Sequence, residues 1–194
     1  MRRILSAFVA FIALTHAAHA IDPSFANNTA RSSFVHPGVL LDINQLNFVR
    51  SKVNSGQEPW ASAYNSMMSN ELASQSRYPT PYMTVDCGPR SNPNVGCTNE
   101  RQDALAAYAN ALAWYITQNS MYATKAISYF KAWSYQIQVH VGSNAPLQTG
   151  WAGTSWARAA EIIRHTYNGG LMSQFNSCVA HREDRLVICG HCQV

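Results

Sequence analysis

Charge is scarce in this chain: only 12% of its 194 residues are Asp, Glu, Lys or Arg. The basic residues never gather into a cluster, which speaks against nucleic acid as a partner, since phosphate recognition needs grouped Lys and Arg. Long apolar runs are missing after the first twenty residues. No later segment offers the ~20 apolar residues of a membrane-spanning helix. No stretch alternates apolar and polar side chains over the length of a strand, so a β-sheet protein is not expected. No exact internal repeat and no organic-cofactor motif is visible. One Cys-x-x-Cys occurs, Cys189-Gly-His-Cys192, but without a second pair it makes no zinc signature. Neither metal nor cofactor is expected.

What is present begins with an export signal. Arg2 and Arg3 precede the apolar run Ile4 to Leu14, and Ala18-His19-Ala20 is a small-residue cleavage site. Residues 1–20 therefore read as a signal peptide, and the remainder as secreted, extracellular, or periplasmic in a Gram-negative source. Asn27-Asn28-Thr29 offers an N-glycosylation acceptor at Asn27. Without Arg2 and Arg3 the 14 basic residues become 12 against 10 acidic ones, a mild excess compatible with an acidic polymer. Five cysteines are an odd number for an exported chain. Cys87 and Cys97 bracket a loop rich in Gly, Pro and Asn, and a disulfide there would stabilise the fold by about 2–3 kcal/mol.

Residues 21–37 read as an irregular leader and residues 38–170 as one helical domain. Asp42 with Gln45 forms a capping-box pattern, followed by Leu46, Val49 and Val53 on one face. Pro59 suits the first turn of a second helix with a buried stripe of Trp60, Tyr64, Met67, Met68 and Leu72. Thr98 is the expected N-cap of a third helix, whose small row Ala104, Ala107 and Ala111 admits a close neighbour. Gln118-Asn119-Ser120 joins it to a fourth, making an antiparallel hairpin. A long connection, Val139 to Gly153, then delivers a fifth helix carrying Trp156, Ala160, Ile163 and Tyr167. The fold class is all-α. Residues 171–194 lose the helical period, hold Cys178, Cys189 and Cys192, and read as an atypical, poorly ordered tail.

The stretch from Gln148 to Arg164 carries most of the functional signal. Gln148 and Trp151 approach a helix mouth, where backbone N–H groups and a stacking surface receive an anionic sugar; the alternative has Trp151 plugging the loop onto the core. Arg158 is a candidate neutraliser of a carboxylate, or else the surface ion-pair partner of Glu161. Trp156 belongs to the core. Arg90, Tyr78 and Tyr82 are candidates for a lid over a cleft. His140 and His165 are either proton carriers or cations at helix C-termini. Glu100 and Asp103 either mimic a glycosidase carboxylate pair or answer a helix dipole.

The segments Asp103 to Tyr115, Ala123 to Ala126, Lys131 to Trp133 and Gly150 to Ile162, in this order and spacing, resemble the alginate lyase superfamily of polysaccharide lyases. The resemblance spans roughly His36 to Tyr167. It implies an incomplete (α/α) toroid built of antiparallel helical hairpins, and β-elimination on an alginate- or glucuronan-type polymer. Such chemistry needs a neutralised carboxylate, a base for the C5 proton and an acid for the leaving oxygen. In similar proteins Asn or Gln and Arg serve the first need, and His and Tyr move the protons. Those proteins continue past the fifth helix with an Asn-rich segment and a later Tyr, neither of which appears in residues 171–194. The expectation is therefore the N-terminal part of a lyase, secreted, monomeric, binding acidic polysaccharide through Gln148, Trp151, Arg158 and Arg90, and inactive as this chain. A helical carbohydrate-binding protein without catalysis, and an α/α hydrolase with paired carboxylates, are the alternatives.

Overall fold

Local capping decides where the first helices begin. The computed structural model describes residues 35–90, 93–171, 175, 179–182 and 185–188. The signal peptide, most of the leader, Asn27, Cys178, Cys189 and Cys192 lie outside these described residues. Helix α1 (Ile43–Asn54) opens on the expected capping box: the Gln45 amide N–H donates to Asp42 Oδ1 at 2.7 Å, and the Asp42 N–H donates to Gln45 Oε1 at 3.1 Å. Helix α2 (Trp60–Ser69) starts directly after Pro59. Its stripe is not fully covered, for no side chain of α2 is buried. The edge of Phe48 against Trp60, 5.4 Å between centroids, ties α1 to α2.

A 3-10 turn (Glu71–Ala73) and strand β1 (Thr84–Asp86) lead to the central helix α3 (Cys97–Thr117). It begins one residue before Thr98, with Gly96 in the cap position. Gln118 turns left-handed, and Asn119 Oδ1 accepts from the Met121 N–H to cap helix α4 (Ser120–Gln136). Strand β2 (Val139–Val141) follows and pairs parallel with β1, Thr84 opposite Val139 and Asp86 opposite Val141. Helix α5 (Ala145–Thr166) then begins well inside the stretch Val139 to Gly153 that reads as a connection. Pro146 sits in its first turn, where a missing N–H costs nothing.

The fold is all-α, with α3 at its centre. The α3–α5 contact is the most extensive between helices, and small side chains permit it: Ala104, Ala107 and Ala111 on α3 and Ala152, Ala159 and Ala160 on α5 are all buried. The two helices run in the same direction, since Arg101 meets Gln148 near their starts and the Trp114 indole donates to Thr166 Oγ1 at 3.0 Å near their ends. Trp156 is core, 3% exposed, and packs on Phe130 and Trp133 of α4. Within the tail set apart on sequence, Phe175 is fully buried against Phe130. Strands β3 (Val179–Arg182) and β4 (Arg185–Ile188) pair antiparallel there. Among the described residues no helix is long and apolar enough to cross a membrane.

Asp103 fastens the segment before β1 to this helical centre. It is fully buried and accepts from Arg77, from the Thr80 backbone N–H at 2.7 Å and from the Trp133 indole at 2.7 Å. Arg77 also donates to Tyr129 Oη at 3.0 Å. Its charged form is favoured: burial opposes it, but the bonds to Tyr129 and Asp103 and the Asp103 charge outweigh that cost. Asp103→Ala, which strands Arg77 and the Trp133 N–H together, is expected to cost about 3–5 kcal/mol, read by urea denaturation.

Candidate functional site

The disulfide loop and the start of α5 enclose a depression of about 430 Å³. Cys87 and Cys97 are bonded, with their Cα atoms 5.9 Å apart, so the loop between them is held at both ends. The β2–α5 connection presses on this loop. The Cys87 N–H donates to Val141 O at 3.1 Å, and the Asn144 N–H donates to Cys87 O at 2.8 Å. Such an approach needs Gly142, at φ +89°, because a Cβ there would sit 2.4 Å from Cys87 O. Pro89, Asn94, Arg101, Asn144, Gln148 and Trp151 line the hollow together with the disulfide.

Trp151 stands at its rim, 54% exposed, with the Arg101 guanidinium 5.6 Å from its ring centroid. A guanidinium beside an aromatic ring, with one nitrogen held by Gln148, keeps other N–H groups for a carboxylate. Neither Gln148 nor Trp151 precedes a helix, as the sequence implied, since both lie inside α5. The reason is tertiary: packing against α3 carries the helix through Gly150 and Gly153. Gln148 is 1% exposed and its amide is fully engaged. It donates to Cys97 O at 3.0 Å and to Glu100 Oε2 at 2.7 Å, and accepts from Arg101 at 3.0 Å. With both donors committed, Gln148 orients Arg101 and does not itself offer a donor to a sugar.

Behind Gln148 the network continues to His140, whose Nε2 lies 2.8 Å from Glu100 Oε1. His140 belongs to β2 and not to the end of α4, so it is no helix cap. Glu100 and Asp103 are both buried and fully engaged by different partners. They do not form a water-activating carboxylate pair. Glu100 does sit in the first turn of α3, where the helix dipole favours it, but both carboxylates also anchor partners from other elements.

A second cation–aromatic contact lies further along the same helices. Arg158 of α5 covers the Tyr108 ring of α3 at 5.7 Å, and its Nε is buried with no hydrogen-bond partner. Burial raises the Tyr108 phenol above its ordinary pKa, partly offset by the charge of Arg158 and its hydrogen bond, so Tyr108 stays protonated at neutral pH. Arg158 makes no ion pair with Glu161, whose carboxylate faces His36 and His165. Arg101 to Tyr108 and Trp151 to Arg158 are both seven-residue steps. The two contacts are therefore two helical turns apart, about 10.5 Å, with cation and aromatic exchanged between the helices.

The remaining candidates scatter. Arg90 is exposed, one residue past Pro89 on the loop. Tyr82 lies against Gly96. Tyr78 is exposed beneath Lys125 Nζ, 5.0 Å from its ring centroid. Burial, and then the charge of Arg77, lower the Lys125 pKa. Arg101 was missed on sequence. The signal available was its seven-residue spacing from Tyr108, matched by Trp151 and Arg158.

A family model for alginate lyase matches residues 49–182, more than half of the chain. The chain belongs to the alginate lyase family. The match runs from inside α1 through α5 to the end of β3, beyond Tyr167, where the resemblance read from sequence stopped. No curated protein and no solved structure matches. Membership supports a polysaccharide-lyase-like function with a polysaccharide as substrate.

The geometry also sets Gln148 apart from Trp151 in kind. Gln148→Ala removes the bridge between buried Glu100 and Arg101, and is expected to cost about 1–3 kcal/mol of stability. Trp151→Ala, at an exposed rim, is expected to change stability by no more than about 0.5 kcal/mol. Thermal denaturation of the two variants beside the parent checks both.

Proposed function

We propose that this member of the alginate lyase family binds an acidic, uronate-containing polysaccharide across the α3–α5 seam, with β-elimination as the family chemistry. The observation that carries the reading is the Arg101 guanidinium within cation–π reach of exposed Trp151 beside an open hollow. The aromatic face suits a pyranose ring, and the guanidinium edge suits a carboxylate beside it. Arg158 over Tyr108 supplies a second cation two turns away. An (α/α) toroid is the architecture this reading assumes. Export rests on the sequence of residues 1–20, and the Cys87–Cys97 bond is of the kind that oxidising compartments keep.

Elimination also needs groups that move protons, and the lining of the hollow includes no His or Tyr. His140 is spent on Glu100 behind it. On this reading the described residues bring no proton-transfer pair to the hollow, and the 194-residue chain binds, as a monomer, without cleaving.

Incubating the purified chain with alginate and with polyglucuronate tests this. Absorbance from a new C4–C5 double bond is expected to stay flat, while affinity electrophoresis shows retardation that fades with salt. Trp151→Ala and Arg101→Ala are each expected to weaken binding about tenfold, equivalent to roughly 1.4 kcal/mol. A steady absorbance rise overturns the inactivity. New reducing ends without absorbance point to hydrolysis, and absence of retardation removes the substrate assignment.

A further inference from the structure

Away from the hollow, three side chains with metal-ligand chemistry meet where the segment before α1 crosses α5. His36 Nδ1 lies 2.8 Å from Glu161 Oε2, and the Gly38 N–H donates to the same oxygen at 3.1 Å. His165 Nε2 is 3.7 Å from Glu161 Oε1, one helical turn along α5. The two imidazoles stack, centroids 4.0 Å apart and planes within 12°. Taking one ligand atom from each residue, all three lie within 4.8 Å of one another. We propose that His36, Glu161 and His165 bind a divalent transition-metal ion, zinc being the best match, and that the ion clips the segment just before α1 to α5.

The donor set selects the ion. Two imidazole nitrogens and one carboxylate oxygen suit zinc and its neighbours, leaving a fourth position for water, whereas calcium and magnesium call for oxygen ligands throughout. Glu161 is buried and its Oε2 is held by Gly38, which fixes the carboxylate as an outer partner fixes a metal ligand. Both histidines are solvent-accessible, so an ion has a path in. Metal–ligand bonds of about 2.0–2.2 Å need donors somewhat closer than the widest pair here. A swing of the His165 ring about its soft χ2 closes that gap and breaks the parallel stack.

The site is independent of the polysaccharide assignment, and its test reads no activity. The full chain carrying Cys178→Ser, Cys189→Ser and Cys192→Ser, which removes the competing thiols, is stripped with chelator and titrated with zinc chloride by calorimetry. One zinc per chain is expected, with a higher Tm. Binding should be lost in His36→Gln and in His165→Gln, both surface changes, with helical circular dichroism retained. Cobalt should give the visible bands of a four- or five-coordinate site in the same background. Absence of zinc binding, absence of the cobalt bands, or binding undiminished in either histidine variant overturns the proposal.

Discussion

Two carboxylates buried three residues apart on one helix organise the described structure. A buried charge is tolerated only when hydrogen-bonded and paired, so Glu100 and Asp103 each dictate what surrounds them. Asp103 gathers Arg77, Thr80 and Trp133, binding the segment before β1 and helix α4 to α3. Glu100 gathers His140 and Gln148, binding β2 and α5. The first two turns of α3 thus help fix β2 and α5, while the disulfide holds the loop on the other side of the hollow. Arg101, next in sequence to Glu100, lines that hollow.

Local signals were legible because their partners are close in sequence. The capping box of α1 spans Asp42 to Gln45, and the α3–α4 hairpin needs only the short joint at Gln118 and Asn119. The start of α5 was not legible. Pro146, Gly150 and Gly153 look like breakers, yet Pro146 falls in a first turn and the buried series Gln148, Ala152, Ser155 and Ala159 runs straight through the glycines. Packing on α3 outweighs a propensity cost of about 1 kcal/mol per glycine. The parallel pair β1–β2 was equally hidden, since three residues are too few to show a period and the strands are separated by two helices.

The same distinction governs the site. His140, His165, Glu100 and Asp103 each have a reasonable local role at a helix end, and a sequence displays only local roles. Most of their actual partners lie far away: 40 residues separate His140 from Glu100 and 26 separate Asp103 from Arg77, whereas His165 meets Glu161 one helical turn away. Trp151 is exposed, and the proposal of a stacking surface rests on an indole chemistry that depends on no partner. The role of Gln148 was not legible, because an amide looks alike whether it faces a sugar or a buried carboxylate.

The exchanged cation–aromatic contacts bear on what kind of ligand the proposed seam favours. Each contact by itself offers one ring face and one guanidinium edge, enough for a single charged sugar and of modest strength. Two such contacts about 10.5 Å apart along parallel helices present cations at an interval comparable to a disaccharide. A monosaccharide engages one of them. A linear polyuronate, carrying a carboxylate on every ring, engages the second at high effective concentration once the first has formed. Rigidity matters to that gain, and it comes from the interior: Arg101 is held by Gln148, which Glu100 holds in turn. On the proposed reading, chain length therefore matters more to binding than the identity of any one uronate.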